Sequence, residues 1–379
     1  MSASVAAPQH PPTEGVPVSL VAPPRLLAAV TAELADFLDD HAGLLLDVHP
    51  DLTLLADLAR ITVLGGGKRL RPIFVYWGWR AAQPAGRDGE DALIRAAASL
   101  ELLQACALVH DDVMDSSATR RGGPAAHIRF ADVHRARQWA GAVDAAEAFG
   151  RSGAILLGDL LLSWAEEMFS AAINELEPAR AAAAARHFDL MRTEVAAGQF
   201  LDLLAQTRGE LDVDEALRVI QFKTSKYTIE RPLLIGAAAA DADADVLRVL
   251  SHYGRQLGEA FQLRDDLLGV FGDPSETGKP AGDDLRGGKR TLLVALAAQR
   301  ATTRQRAVIE RGLGDHDLDS AGVAGLRQVL TDTGARSAVE RRITECAERA
   351  AAALGDAAVQ APARQALLEL AHVAAHRTR

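Results

Sequence analysis

Two pairs of adjacent aspartates follow long apolar runs, far apart in the chain. The first pair opens the segment DDVMD, in which Asp111 and Asp115 are four residues apart and therefore share one face of a helix. Gln104, two turns earlier, lies on the same face. Neighbouring carboxylates repel unless a cation bridges them, and oxygen ligands without His or Cys suit Mg²⁺. The spacing predicts a magnesium site that keeps positions open for phosphate oxygens.

A lone DDxxD segment is more often a solvated helix end than a metal site. Here the segment ends an apolar helix, and Arg120 and Arg121 follow within reach of a metal-bound anion. The second pair, Asp265 and Asp266 in FQLRDDLLG, also ends an apolar run, with Gln262 on the same side. Two acid pairs on two apolar helices favour the metal interpretation.

Three other segments carry cations beside glycines or hydroxyl groups. The glycines of LGGGKRLRP let the backbone approach a phosphate, although no Ser or Thr follows the lysine as in a Walker A loop. Each segment alone is more often a solvated loop. The residues concerned are Lys68, Arg69 and Arg71 in LGGGKRLRP; Lys223, Thr224 and Lys226 in FKTSKYT; and Lys279, Lys289 and Arg290 in GKPAGDDLRGGKRT. Together with the acid pairs, they predict magnesium ions and two diphosphates beside apolar helices that could hold a hydrocarbon tail.

The elements that position these motifs are predicted to be helices. The chain has 379 residues, of which 49% are hydrophobic and only 4% aromatic, and it lacks alternating β-branched runs. The apolar segments before both acid pairs are too long for strands, and several are apolar around most of the helix, which indicates central positions in a bundle. We expect one large all-α domain over residues 25–379 after a disordered tail, 1–24; residues 138–151 could be helix or loop.

Composition excludes several classes of protein. The net charge of -10 argues against a general nucleic-acid binder, which usually carries a basic face. We find neither a signal peptide nor eighteen consecutive charge-free apolar residues, so no membrane span is predicted. The two cysteines, Cys106 and Cys346, stand in apolar helical patterns and suggest no disulfide framework. A cytoplasmic location is therefore expected.

The five motifs, in this order from about Leu64 to Leu293, resemble those of the trans-isoprenyl diphosphate synthases, or polyprenyl synthetase family. Among these, the chain looks most like a bacterial geranylgeranyl diphosphate synthase. The resemblance implies an isoprenoid synthase fold around a central cavity, usually in a homodimer. It also implies head-to-tail transfer of a prenyl group from an allylic diphosphate to isopentenyl diphosphate, with Mg²⁺ as cofactor.

The resemblance also implies a role for each motif residue. The ligands of three magnesium ions would be Asp111, Asp115 and Asp265, with Asp112 and Asp266 as supporting carboxylates. The allylic diphosphate would be bound by Arg120, Lys223, Lys279 and Lys289, and isopentenyl diphosphate by Lys68, Arg71, Gln104 and Arg121. The developing cation would be stabilised by oxygens of Thr224 and Gln262. Asp202, in GQFLDLLAQ, either orients one of these lysines or is an ordinary surface acid.

Two regions of the chain bear on activity and product length. Gly269 stands where many relatives carry the last aspartate of the second motif; with Asp265 in place, we expect activity to survive. The tail should grow back along the helix of the first motif, about 5.4 Å per turn. There Cys106 and Ala107 are small, so the cavity floor moves to Leu103 and beyond, unless another helix fills the space. The expected product is geranylgeranyl diphosphate, C20, with farnesyl or longer polyprenyl diphosphates as alternatives.

Two other classes use some of the same features. A class I terpene synthase also has an aspartate-rich motif, but it needs no isopentenyl diphosphate site. A non-catalytic subunit of a heteromeric synthase would bind metal and substrate without turnover by the isolated chain. The intact first motif and the adjacent arginines favour the active synthase.

Overall fold

The computed structural model describes residues 22–23, 25–83, 89–273, 282–355 and 359–376, with the side chains of the last helix described to residue 374. Almost all of the proposed tail, residues 1–24, therefore lies outside the described residues. Lys279, predicted to bind the allylic diphosphate, also lies outside them. Statements about the fold and the site below refer to the described ranges.

Helices make up nearly all of the described chain. The first half contains α1 (Leu26–Val48), a 3₁₀ turn (Pro50–Leu52), α2 (Thr53–Leu64), α3 (Leu70–Ala82), α4 (Glu90–Met114), α5 (Ala126–Ala136), α6 (Ala145–Ile173) and α7 (Pro178–Arg208). The second half contains α8 (Val213–Val219), a π-helix (Ile220–Glu230), α9 (Arg231–Ala239), α10 (Ala244–Phe271), α11 (Asp283–Arg286), α12 (Leu292–Arg300), α13 (Thr303–Gly312), α14 (Ser320–Asp332), α15 (Ala335–Ala353) and α16 (Ala361–His376). The all-α prediction is confirmed; the segment 138–151 contains both a loop and the start of α6.

One short hairpin interrupts the helices. Its strands, β1 (Thr119–Arg120) and β2 (Gly123–Pro124), pair antiparallel directly after α4. The two turn residues, Arg121 and Gly122, have φ of 52° and 75°, as the tight turns of two-residue hairpins require. An arginine in this left-handed region is strained relative to glycine, which marks the turn as a position held by its surroundings.

Helix α4 lies at the centre of the bundle, packed against α6, α3 and α1. The buried residues of α4, from Ala92 to Asp112, lie on all sides of the helix. By length and composition α4 could cross a membrane, but 72% of its most apolar window is buried inside the protein, as in the core helix of a bundle. Its apolar character is therefore explained by packing in the core.

The core consists of two hydrophobic clusters that share α10. The first half of α10 contributes Leu250 and Leu257 to the larger cluster, which also contains α4. The second half contributes Leu263 and Leu267 to a smaller cluster formed with helices α11 to α15. The first acidic motif is therefore carried by the larger cluster and the second by the smaller one.

Candidate active site

The first acidic motif occupies the last turn of α4. The helix continues through the motif to Met114, three residues beyond Asp111, and the Asp115 backbone N–H donates to the Asp111 carbonyl at 2.8 Å. Asp111 is half-buried, and Asp112 is buried with 2% of its surface exposed. The C-terminal end of a helix disfavours negative charge, so carboxylates held here need cations nearby.

Protein cations face this motif from two directions. Lys223 on the π-helix places its Nζ 3.3 Å from Asp111 Oδ1 and 2.6 Å from Asp202 Oδ2. Arg120 donates its Nε–H to Asp112 Oδ1 at 2.9 Å, and its Nη2 lies 3.5 Å from Asp111 Oδ2. Burial opposes the charge on Lys223, but the negative charges of Asp202 and Asp111 outweigh it, so the pKa of Lys223 is raised. Both cations are therefore fixed in position before any substrate binds.

Asp115 is the least compensated member of the motif. Its Oδ1 is buried and finds no hydrogen-bond donor among the described residues. Burial and the neighbouring charge of Asp111 raise the pKa of the Asp115 carboxyl. A buried acceptor beside a second carboxylate is an unfavourable arrangement that a bound cation would relieve.

The second acidic motif lies on α10, where Gln262 donates its side-chain N–H to Asp266 Oδ1 at 2.7 Å. Asp266 is buried, and burial together with the negative charge of Asp284 raises the pKa of its carboxyl to about 7. Asp265 is half-buried next to it. Asp284, on α11, holds Lys289 through an ion pair of 2.8 Å.

Lys289 connects the two motifs electrostatically. Its pKa is raised because the charges of Asp284, Asp115 and Asp111 outweigh the effect of burial. In turn, Lys289 and Lys223 both lower the pKa of Asp115, against the larger effect of burial. Lys289 also lowers the pKa of Asp266 in the second motif, again against the larger effect of burial. The first motif of the larger cluster and the second motif of the smaller cluster therefore lie around one set of cations.

A second group of cations surrounds the glycine-rich loop before α3. Gly66 and Gly67 have φ of 93° and 129°, and a Cβ on Gly67 would lie 2.9 Å from Arg121 Nη2. The loop and the hairpin turn are therefore in contact. The pKa of Arg121 is lowered by burial and, despite the opposing charge of Glu101, by the positive charges of Arg69, Arg120 and Arg71. Arginines crowded in this way favour binding of an anion.

Two arginines of this group are held in place by contacts with other residues. Buried Arg69 pairs with buried Glu101 at 2.7 Å and donates to the Val63 carbonyl at 2.7 Å. Arg71 donates to Thr228 Oγ1 at 2.9 Å. Its guanidinium lies over the Tyr227 ring, 4.1 Å from the centroid. Of the remaining predicted residues, Lys68 is exposed, and Gln104 and Thr224 are half-buried.

Glycines of two neighbouring helices pack against the π-helix that carries Lys223 and Thr224. A Cβ on Gly198 of α7 would overlap the Lys223 backbone, and one on Gly258 of α10 would overlap Ser225. Small residues on both sides let these helices approach closely. A wider helical turn changes the direction of its side chains, and π-helical segments are frequent at functional sites.

The predicted chain-length residues lie further back on α4. Leu103 and Cys106 are buried, with 3% and 6% of their surfaces exposed, whereas Ala107 is half-buried. Cys106 Sγ lies 3.8 Å from His110 Nδ1, and burial raises the pKa of the Cys106 thiol to about 12. All three residues belong to the larger core cluster or pack against it.

Comparison with known proteins agrees with this geometry. The sequence profile of the Polyprenyl synthetase family matches residues 53–330. The chain belongs to the polyprenyl synthetase family. It is 33% identical over 307 residues to the geranylfarnesyl diphosphate synthase of Aeropyrum pernix, covering 80% of this chain and 87% of that protein.

Two further relatives are named for a C20 product. The chain is 33% identical over 312 residues to the geranylgeranyl diphosphate synthase of Mycobacterium tuberculosis, covering 82% of this chain and 81% of that protein. A crystal structure of geranylgeranyl pyrophosphate synthase from Corynebacterium glutamicum, complexed with isoprenyl diphosphate and magnesium, superposes with a TM-score of 0.87 at 40% identity, covering 93% of this chain and 99% of the other. The chain is a trans-prenyltransferase with the all-α isoprenoid synthase fold.

Sequence reasoning did not single out two residues of this polyprenyl synthetase site. Gln199 donates to Asp111 Oδ1 at 3.2 Å, and Asp284 pairs with Lys289. Gln199 and Asp202 are three residues apart on α7, a spacing that places both on one face, and this could have indicated Gln199. For Asp202 the sequence leaves two interpretations, a lysine-orienting residue or a surface acid, and the structure places it against Lys223.

Proposed function

We propose that this polyprenyl synthetase condenses isopentenyl diphosphate head-to-tail with allylic diphosphates, in the presence of Mg²⁺, and that geranylgeranyl diphosphate is its main product. The observation that carries the proposal is that Lys289 interacts with Asp115 of the first motif and Asp266 of the second, next to a separate group of crowded arginines. The region around Lys289 and the acidic motifs suits a metal-bound diphosphate, and the group of arginines suits a second diphosphate. We assign the catalytic domain to residues 25–379.

The donor set fits magnesium shared with a substrate. No group of three His, Cys, Asp or Glu side chains among the described residues could hold a metal by itself. Mg²⁺ takes one or two carboxylates and completes its coordination with water and phosphate oxygens. We assign three ions to Asp111, Asp115 and Asp265. When bound, they would neutralise the charge that develops on the departing diphosphate.

The remaining residues divide between the two substrates. Lys223, Lys289, Lys279 and Arg120 would hold the allylic diphosphate and stabilise it as the C–O bond breaks. The other diphosphate would be held by Lys68, Arg71, Gln104 and Arg121. The double bond of isopentenyl diphosphate then attacks the allylic carbon, and a proton leaves to the released diphosphate. Thr224 and Gln262 offer oxygens to the cationic centre, and the apolar core excludes water that would capture it.

Chain length follows from the side chains behind the first motif. At similar identity, relatives are named for geranylgeranyl and for geranylfarnesyl products, so identity alone does not decide between them. We infer that the small side chains of Cys106 and Ala107 allow a growing tail to pass beside α4, with Leu103, one turn deeper, as its floor. With the floor at Leu103, we expect a C20 product.

An exposed apolar surface supports pairing with a second copy of the chain. On α6, Ile155 is 46% and Leu156 is 63% exposed, and on α7 Phe200 is 62% exposed. Large apolar side chains grouped on neighbouring helices mark interaction surfaces. We propose a homodimer formed through this face, and a cytoplasmic location for the enzyme.

The test is incubation of the purified chain with Mg²⁺, labelled isopentenyl diphosphate and, separately, dimethylallyl, geranyl or farnesyl diphosphate. Dephosphorylated products are then separated by chromatography. The proposal predicts a C20 alcohol as the main product. A folded protein that binds diphosphate but elongates none of the primers would instead be a non-catalytic subunit, and a cyclic hydrocarbon would indicate a terpene synthase.

A further inference from the structure

Gly269 is in contact with a carboxylate from another helix. It stands four residues after Asp265 on α10, one turn further along the same face. A Cβ built on Gly269 would overlap Oδ2 of Asp284, so the Asp284 carboxylate occupies the volume of any side chain at position 269. A glycine inside a helix is less favourable than alanine, and it commonly has a packing or functional reason. Here the close approach of Asp284 is that reason.

Asp284 is held firmly in this position. It lies on the short helix α11 with 9% of its surface exposed. Its Oδ1 is 2.8 Å from Lys289 Nζ, and its backbone carbonyl accepts from the Lys289 N–H at 3.1 Å. Burying an acid that had no partner would be costly, so the pair with Lys289 also stabilises Asp284.

We propose that Asp284 supplies from α11 the carboxylate that the second acidic motif lacks at Gly269, and that it acts as a positioning residue for Lys289. The inference rests on the proposed function, because Lys289 is assigned to the allylic diphosphate. The substitution at position 269 then moves the negative charge to another helix without removing it from the site. This explains how a chain with DDLLG in place of DDxxD keeps a complete set of charges.

The nearby charges agree with this role. The negative charge of Asp284 raises the pKa of Lys289, as expected of a carboxylate that holds the lysine in its charged form. Asp284 therefore contacts both the helix of the second motif, at Gly269, and the lysine. A residue that merely closed the loop between α11 and α12 would need neither contact.

The experiment compares Asp284→Ala, the isosteric Asp284→Asn and the exchange variant Gly269→Asp/Asp284→Ala. The matched control is Asp283→Ala, which removes an exposed acid from the same helix. Calorimetry measures binding of inorganic diphosphate over a range of Mg²⁺ concentrations, and kinetics measure the KM of each substrate. Thermal unfolding confirms that each variant is folded.

Loss of Asp284, or of its charge alone, should weaken Mg²⁺-dependent diphosphate binding by about 10- to 100-fold, the usual cost of removing a group that orients a ligand. The KM of the allylic substrate should rise while that of isopentenyl diphosphate stays unchanged. The exchange variant should recover most of the loss, because the new carboxylate enters the volume that Asp284 vacates.

The inference is overturned if Asp284→Asn binds like the Asp283→Ala control, or if the exchange variant is no better than Asp284→Ala. Failure of the proposed function has a different signature. In that case the unmutated chain does not elongate any primer, whatever the variants do to diphosphate binding.

Discussion

Asp111 of the first acidic motif pairs with Lys223 and Arg120, whereas Asp266 of the second motif is buried and feels the negative charge of another carboxylate, Asp284. Cations fixed on the π-helix and the hairpin thus pair with Asp111 and Asp112, and Asp115 is left as the least compensated member of the first motif. The second is buried and carries a carboxyl with a pKa near 7. The difference teaches that the first motif already holds protein cations for a diphosphate, whereas the carboxyl of Asp266 is dominated by burial and a neighbouring negative charge.

The largest effect is expected at the first motif. Asp111→Ala or Asp115→Ala should lower turnover by about 10³-fold or more, because the metal and the cations around it stabilise the departing diphosphate. The control is Asp132→Ala, which removes a surface acid of α5. Steady-state kinetics with farnesyl diphosphate check this, and near-normal turnover of either variant would contradict the metal assignment.

The role of Lys223, which faces the first motif, can be tested by changing Asp202, the residue that holds it. Asp202→Asn should lower turnover by about tenfold, since Lys223 loses the closer of its two carboxylates and is held less firmly. Asp189→Asn, an exposed position on the same helix, is the matched control. If both variants turn over equally, Asp202 has no part in orienting Lys223.

The length of the product tests whether the prenyl tail grows along α4, the helix that carries the first motif. Ala107→Phe should shorten the main product from C20 to C15, because a ring placed one turn behind Asp111 blocks the path of the tail. Ala107→Ser keeps the small volume and should leave the product unchanged. Chromatography of the alcohols measures both, and a C20 product from the Phe variant would move the cavity floor to another helix.

The free energy of unfolding in the absence of metal tests the raised pKa of Asp266 in the second motif. The Asp266 carboxyl has a pKa of about 7 in the folded protein and an ordinary value of 3.8. Between these values the folded state holds a proton that the unfolded state has released, so the free energy of unfolding falls as the pH rises through this window. Asp266→Asn should show a weaker fall in denaturant titrations with a chelator present. Equal slopes for both proteins would contradict the raised pKa.

Much of the fold and site followed from the sequence, because continuous apolar runs define α4, α6 and α10 and the motifs lie at their ends or between them. The hairpin was not predicted, since strands of two residues leave no periodic pattern. Nor was the π-helix, which depends on close approach to Gly198 and Gly258 from distant helices. Gln199 is 88 residues from Asp111, and such pairings are set by tertiary packing. For the same reason, the sequence alone does not show that Asp284 occupies the space beside Gly269.

The central claim is that motifs from two separate cores act on one diphosphate. The most direct test is calorimetric binding of inorganic diphosphate with Mg²⁺ to the unmutated chain, Asp111→Ala, Asp265→Ala and the double variant. If one diphosphate is shared, the losses are strongly coupled, and the double variant binds no more weakly than the weaker single variant. Independent losses that simply add would contradict the claim and place the motifs at separate sites.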